Sequence, residues 1–159
     1  MNRARLHLTV AAVVHHQQRF LLVEETDKLT GQRVLNQPAG HVEEDEDLLS
    51  AVKRELFEET GLHLEPTAWL GISQLLAANG HRYVRVNFIF EPAQLPEHYR
   101  PQDSDILALH WLTKQELASS ALALRSTLVS DAIEQYLRGV CLPLSCIAPL
   151  HDSMRSLQK

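Results

Sequence analysis

The 159-residue chain has 45 % hydrophobic and 22 % charged residues and a formal net charge of −5, proportions that suit a globular chain and exclude an intrinsically disordered one. The acidic balance argues against a nucleic-acid-binding surface, whose phosphate affinity comes from clustered Lys and Arg, and no apolar run approaches the roughly 20 residues that span a bilayer. Cys141 and Cys146 stand alone in a C-x4-C spacing, without the second pair that a zinc site needs, and read as reduced thiols of little structural weight.

At this length one domain over residues 1–159 is expected, burying about 70 % of the surface of the unfolded chain. The start, Met1-Asn2-Arg3-Ala4-Arg5, is basic but lacks a signal-peptide cleavage pattern, so the expected address is the cytoplasm; a monomer is the expected state. Leu6 to Val14 alternates as a first strand. The polar His15-His16-Gln17-Gln18 turn leads into a short buried-type strand over Arg19 to Glu24, which predicts a hairpin. Thr26 to Arg33 reads as a loop, and Gln37-Pro38-Ala39-Gly40 as a second bend with Pro38 and Gly40 as breakers.

Asp47 is placed to cap a helix running to about Thr60, with Leu48, Leu49, Val52 and Leu56 as its apolar stripe and Gly61 as its stop. Strands follow over Trp69 to Leu76 and Tyr83 to Phe90. The proline-punctuated loop Pro92 to Asp105 then leads to a strand over Ile106 to Leu112. Thr113 and Glu116 form a capping box for a short helix, and Ser126 to Leu137 is the last long helix. The tail from Gly139, with Pro143 and Pro149, is expected to pack loosely.

The chemistry concentrates on the Asp47–Thr60 helix. Glu55, Glu58 and Glu59 stand at i, i+3 and i+4, so three carboxylates crowd one face. Like charges at this spacing repel, and a hard divalent cation reverses that sign by taking oxygen ligands. Mg²⁺ suits such a cluster because it commonly binds one or two carboxylates and keeps waters and substrate phosphates as its other ligands. Arg54 precedes the cluster and can orient a carboxylate with its bidentate fork. The competing reading is an acidic face that is simply solvated.

Spacing weighs against that reading. Gly40 is followed after five residues by Glu46, and after seven more by Arg54-Glu55-Leu56-Phe57-Glu58-Glu59-Thr60-Gly61-Leu62. This resembles the box of the Nudix hydrolase family, G-x5-E-x7-R-E-U-x-E-E-x-G-U with U aliphatic, and all nine fixed positions are matched in one register over residues 40–62. The resemblance implies an α/β/α sandwich with a mixed β-sheet. It also implies that Glu55, Glu58 and Glu59, with the carbonyl of Gly40, bind Mg²⁺, with Mn²⁺ as a substitute. Glu46, Arg54 and Gly61 are then structural members of the box, Glu46 reaching Arg54. The implied reaction is metal-assisted attack of water on phosphorus in a small-molecule diphosphate or nucleotide.

Further landmarks resemble one subgroup of the family, a set of bacterial phosphatases. They are Val23-Glu24-Glu25-Thr26, Asn36-Gln37-Pro38-Ala39-Gly40-His41, Asp103-Ser104-Asp105-Ile106, and Arg125-Ser126 with Leu128-Val129. The resemblance implies release of orthophosphate from nucleoside di- and triphosphates and hydrolysis of thiamine-pathway diphosphates, notably hydroxymethylpyrimidine diphosphate and thiamine diphosphate. The alternative is another Nudix pyrophosphohydrolase, which converts a nucleoside triphosphate to monophosphate and pyrophosphate or cleaves a nucleoside diphosphate sugar. A ligand-binding Nudix domain without turnover would be marked by loss of box glutamates, and all four stand here.

Outside the box, several family members place a general base in a downstream acidic loop, which singles out Asp103 and Asp105, with Glu55 as base if neither serves. The Asp-Ser-Asp sequence equally suits a turn. Arg85, on a strand with an apolar opposite face, is a candidate for a substrate phosphate or for simple surface exposure. His41 follows the box glycine and is a candidate for phosphate or for a position behind the metal. Asn36 and Gln37 could bind a pyrimidine or purine edge, or satisfy loop backbone. His15 and His16 read as turn filler.

Overall fold

The computed structural model describes residues 5–151; Met1–Ala4 of the basic start and 152–159 of the tail lie outside them. Alternation along the strands sets the layers. In β1 (Leu6–His16) Val10, Ala12 and Val14 point to one face and Val13 to the other. In β2 (Arg19–Thr26) Leu21 is opposed to Phe20 and Leu22, and in β6 (Arg82–Phe90) Val86, Phe88 and Phe90 are opposed to Ile89. Both faces of the sheet are therefore apolar, and each needs a helix to cover it.

Helix α1 (Leu48–Thr60) covers the first face with Ala51, Val52 and Leu56, and Leu62 beyond its end joins the same core. The side chain of Asp47 accepts the Ser50 N–H as N-cap. Gly61 ends the helix in the left-handed region at φ 78°, donating its N–H to the Phe57 carbonyl, and a Cβ there would run into the Arg100 backbone. Helix α3 (Thr127–Leu137) covers the second face with Val129, Ala132 and Ile133 against Val13, Phe20, Leu35 and Ile89. The result is an α/β/α arrangement, and burying a side chain such as Leu56 contributes about 1.5–3 kcal/mol.

The sheet is mixed and runs in the order β5-β6-β1-β2-β3-β8, with β5 (Ala68–Leu76), β3 (Arg33–Asn36) and β8 (Ala123–Leu124) completing the path. β1 pairs in parallel with β6, and its other edge takes the short β4 (Ala39–His41) before β2. β7 (Ile106–Leu112) pairs with β2, with a bulge opposite Glu24 and Glu25. The short α2 (Lys114–Ala118) carries the expected capping box of Thr113 and Glu116.

Three expectations are corrected, and two short strands are added. His15 and His16 belong to β1, and the turn is only Gln17–Gln18, both with positive φ (48° and 64°) as a type I′ hairpin requires. Ala39-Gly40 is not a bend but the strand β4, which forms because β1 offers it a free edge. The segments β3 and β8 are too short to show periodicity alone, and pair with each other in parallel. The described part of the tail does make contacts: Leu142 and Trp69 exchange backbone hydrogen bonds at 2.9 and 3.0 Å, and Leu144 and Ile147 lie against the first core. Both cysteines are unpaired and exposed.

Candidate active site

Strand β4 lays Gly40 directly against α1. A Cβ on Gly40 would overlap the Glu55 carboxylate, so only glycine lets helix and strand approach this closely. Glu55 and Glu59 are consequently buried, at 9 % and 7 % exposure. The one compensating bond to Glu59 is the Ala39 N–H, donated at 3.0 Å. Burial pushes the Glu59 carboxyl up to about 9, and the neighbouring charges of Glu55, Glu25 and Asp103 push the same way. Burial also raises Glu55, against the opposing pull of Arg54. Two adjacent carboxyl groups thus favour a proton or a cation over bare negative charge.

Arg54 organises the remaining box carboxylates. It holds Glu46 bidentately, Nε at 2.8 Å and Nη2 at 2.9 Å. Nη1 donates to Glu55 at 2.8 Å and to Glu58 at 3.1 Å, and Nη2 also to the His41 carbonyl at 3.0 Å. Every one of the guanidinium donors is used. Glu46 in turn accepts the Glu43 N–H, which pins the loop before the helix.

These groups border a cleft of about 760 Å³. Gly40, His41, Glu55, Glu59, Arg85, Asn36, Asp103 and Asp105 all line it. Glu58 does not: its half-exposed side chain is held by Arg54, while its backbone carbonyl accepts the N–H groups of Gln102 and Asp103 at 2.8 Å and so ties the acidic loop to α1. Asp103 accepts the Asp105 N–H at 2.8 Å, making the turn that its sequence favours, and still faces the cleft. Asp105 is exposed and pairs with Lys28 at 3.1 Å.

Arg85 is 9 % exposed, not a surface residue. Its Nε has no partner, and its bond to Asn36 Oδ1 is long, at 3.4 Å. Burial lowers the guanidinium to about 10, against the pull of the Glu25 and Glu59 carboxylates. Gln37 is the expectation that the structure turns away. Its side chain donates to the Val129 carbonyl at 2.9 Å under α3, and it does not line the cleft.

Sequence reasoning gave no site role to Glu25 and Arg125, which it quoted only as landmarks, or to Tyr83, and all three line the cleft. Glu25 accepts from Arg125 at 3.0 Å and from Asn36 at 3.2 Å, with 16 % of its side chain exposed. The available signal was a pair of acids, Glu24-Glu25, inside an apolar strand; alternation sends one of them to each face.

The donor set suits a hard divalent cation. It offers carboxylate and carbonyl oxygens, and Glu55 and Glu59 are destabilised as bare anions. Among the described residues no three His, Cys, Asp or Glu side chains are gathered into a ready-made metal cage. Carboxylate and carbonyl oxygens are ligands that hard divalent cations such as Mg²⁺ and Ca²⁺ share.

The NUDIX domain matches residues 5–132. The chain is 40 % identical to the Phosphatase NudJ of Escherichia coli strain K12 over 141 residues, covering 89 % of this chain and 90 % of that protein. Among solved structures, a NUDIX hydrolase from Nitrosomonas europaea superposes with a TM-score of 0.82 at 34 % identity, covering 91 % of this chain and 97 % of that one. The NUDIX domain of Shewanella oneidensis NrtR, solved with ADP ribose, superposes with a TM-score of 0.68 at 25 % identity, covering 87 % and 90 %.

Proposed function

The chain belongs to the NUDIX family and is a hydrolase of phosphoanhydride bonds, and from that premise we propose that residues 1–159 form one Mg²⁺-dependent phosphohydrolase that releases orthophosphate from small diphosphates and nucleotides. The identity to Phosphatase NudJ over nearly the whole chain carries the reading. Hydroxymethylpyrimidine diphosphate, thiamine diphosphate and simple nucleoside di- and triphosphates are the proposed substrates. The enzyme is taken to act as a cytoplasmic monomer; among the described residues no helix is long and apolar enough to cross a membrane.

Glu55, Glu59 and the Gly40 carbonyl, at the cleft, would hold Mg²⁺, with Mn²⁺ as a substitute, and Glu58 would join them by turning its half-exposed carboxylate from Arg54. Bound there, the cation supplies neutralisation of phosphate charge and acidification of water. Arg85, which lines the cleft, donates to an oxygen of the phosphate group. Asp103, held on α1 through the Glu58 carbonyl, takes the proton as water oxygen bonds to phosphorus and the bridging anhydride oxygen leaves. Arg54 keeps Glu55 and Glu58 oriented, and Glu25 keeps Arg125 at the cleft.

The pH dependence follows from Glu59. Its folded value, about 9, lies above the ordinary 4.5. Its contribution to metal-free stability is therefore full below about 4.5 and is lost as pH rises toward about 9. Mg²⁺ competes with that proton, so its binding strengthens over the same interval and releases protons. Thermal melting with and without Mg²⁺ at pH 6, 7.5 and 9 is expected to show a stabilisation by metal that grows with pH, with turnover rising in parallel. An equal gain at all three values removes Glu59 from the ligand set.

A second reading has one observation behind it: a cleft of about 760 Å³ has room for a ligand with groups on both sides of a diphosphate, and the NrtR domain was solved with ADP ribose. In that case the enzyme attacks an internal phosphorus. Hydrolysis of a nucleoside triphosphate in H₂¹⁸O separates the two. Label in orthophosphate is the expected outcome, and label found only in nucleoside monophosphate overturns it.

A further inference from the structure

One end of the cleft carries a feature that the hydrolytic groups do not use. The β1–β6 register pairs His7 with Tyr83, Thr9 with Arg85, Ala11 with Asn87 and Val13 with Ile89, so these side chains form one row on one face of the sheet. Helix α3 covers the row at Val13 and Ile89. At the opposite end the row finishes in aromatic rings at the cleft wall, where Tyr83 and His41 are lining residues.

The rings are held in a fixed arrangement. Tyr83 stacks on His7 with centroids 4.7 Å apart and planes within 16°. His7 is bonded edge to edge with His81 at 2.7 Å, their planes within 14°. Its other nitrogen meets His41 at 3.0 Å. The imidazoles therefore brace Tyr83 from behind without belonging to either apolar core. Leu75, the partner of Tyr83 on β5, adds apolar surface to the same wall.

Position gives this wall its use. Tyr83 is two residues from Arg85 on the same face, a rise of about 6.6 Å along the strand. A phosphate held by Arg85 would place a ring attached through one or a few atoms beside Tyr83. We propose that Tyr83, braced by His7, is the platform for the aromatic ring of the substrate, and that this enzyme selects diphosphate esters of heteroaromatic alcohols and nucleosides over aliphatic ones. The proposal rests on Arg85 as the phosphate-binding residue of the reading above. Stacking on such a platform is sequence-tolerant and favours any flat π-face; it does not by itself choose one heterocycle.

The benzyl and methyl monoesters of methylenediphosphonate test it, since they share a non-hydrolysable anion and differ by a ring. With Mg²⁺ present, calorimetry on the wild-type protein is expected to show the benzyl ester binding about tenfold more tightly. Tyr83→Leu should remove that preference while leaving the methyl ester's affinity within about twofold, and Tyr83→Phe should retain it, because the ring face carries the contact. In the wild-type protein, NOEs should connect the benzyl protons to the Tyr83 ring, a reading that needs no variant to fold. Absence of a ring preference in the wild type, its survival in Tyr83→Leu, or NOEs to Leu29 and Leu107 of the cleft lining in place of Tyr83 would each overturn the platform. Lack of turnover of hydroxymethylpyrimidine diphosphate with the ring preference intact would instead count against the substrate range proposed above.

Discussion

Glu59→Gln is expected to lower kcat by about a hundredfold or more while leaving the fold intact, because it removes an anionic oxygen from the metal's ligand set and with it the cation's hold and acidity. The structure makes this substitution unusually clean. With its carboxyl pushed up to about 9, Glu59 is protonated near pH 7 in the metal-free protein, and glutamine is its neutral isostere. The amide oxygen can still accept the Ala39 N–H that Glu59 accepts at 3.0 Å. Metal-free stability should then change by less than about 1 kcal/mol, while the pH-dependent gain from Mg²⁺ disappears. Glu58→Gln is expected to fall in the same direction, with its backbone link to the acidic loop preserved. Steady-state kinetics beside thermal melting is the measurement. Full turnover in EDTA, or rates within threefold of wild type for both variants, would remove these glutamates from the chemistry.

The largest stability effect is expected from Arg54→Ala. Its guanidinium serves Glu46, Glu55, Glu58 and the His41 carbonyl, and its side chain is only 22 % exposed, with the side chains of Glu46 and Glu55 at 13 % and 12 %. Truncation strands partly buried carboxylates beside one another, and breaking such a network costs about 3 kcal/mol, the low end for buried pairs because some solvent reaches Arg54. For a chain of this size that is a fall in Tm of about 10 °C. Arg54→Lys should recover little, since an ammonium has no fork with which to hold Glu46 bidentately while reaching Glu55 and Glu58. Urea unfolding measures the loss, and a value under about 1 kcal/mol for Arg54→Ala would make the network no more than an exposed ion pair. Activity should drop in both variants, because Glu55 and Glu58 lose their orientation.

The features that the amino-acid sequence determines by itself are local ones. Helix α1 is legible because its cap Asp47, its stripe of Val52 and Leu56 and its stop Gly61 all lie within one segment, and local propensity and pattern agree there. The box register places Glu55, Glu58 and Glu59 on one face for the same reason: helical spacing is a property of the sequence alone. The strands β1 and β6 are legible from their alternation, β2 from its continuous apolar run, and the capping box of α2 from a pair of residues three apart.

Tertiary structure decided whatever depended on partners distant in the chain. Strand β4 exists because β1 leaves an edge open, and no property of Ala39-Gly40-His41 announces it. Asn36 and Gln37 are neighbours of similar chemistry, yet the turn of the chain after β3 sends one into the cleft and the other under α3 to Val129. Arg85 could have been a surface residue until the sheet packed it beside Asn36 and left its Nε without a partner. Glu25 and Tyr83 reach the same cleft only because β2 and β6 are brought to either side of it, and side chains separated by dozens of residues meet by strand register, which depends on which edges pair and not on the spacing of residues within one segment.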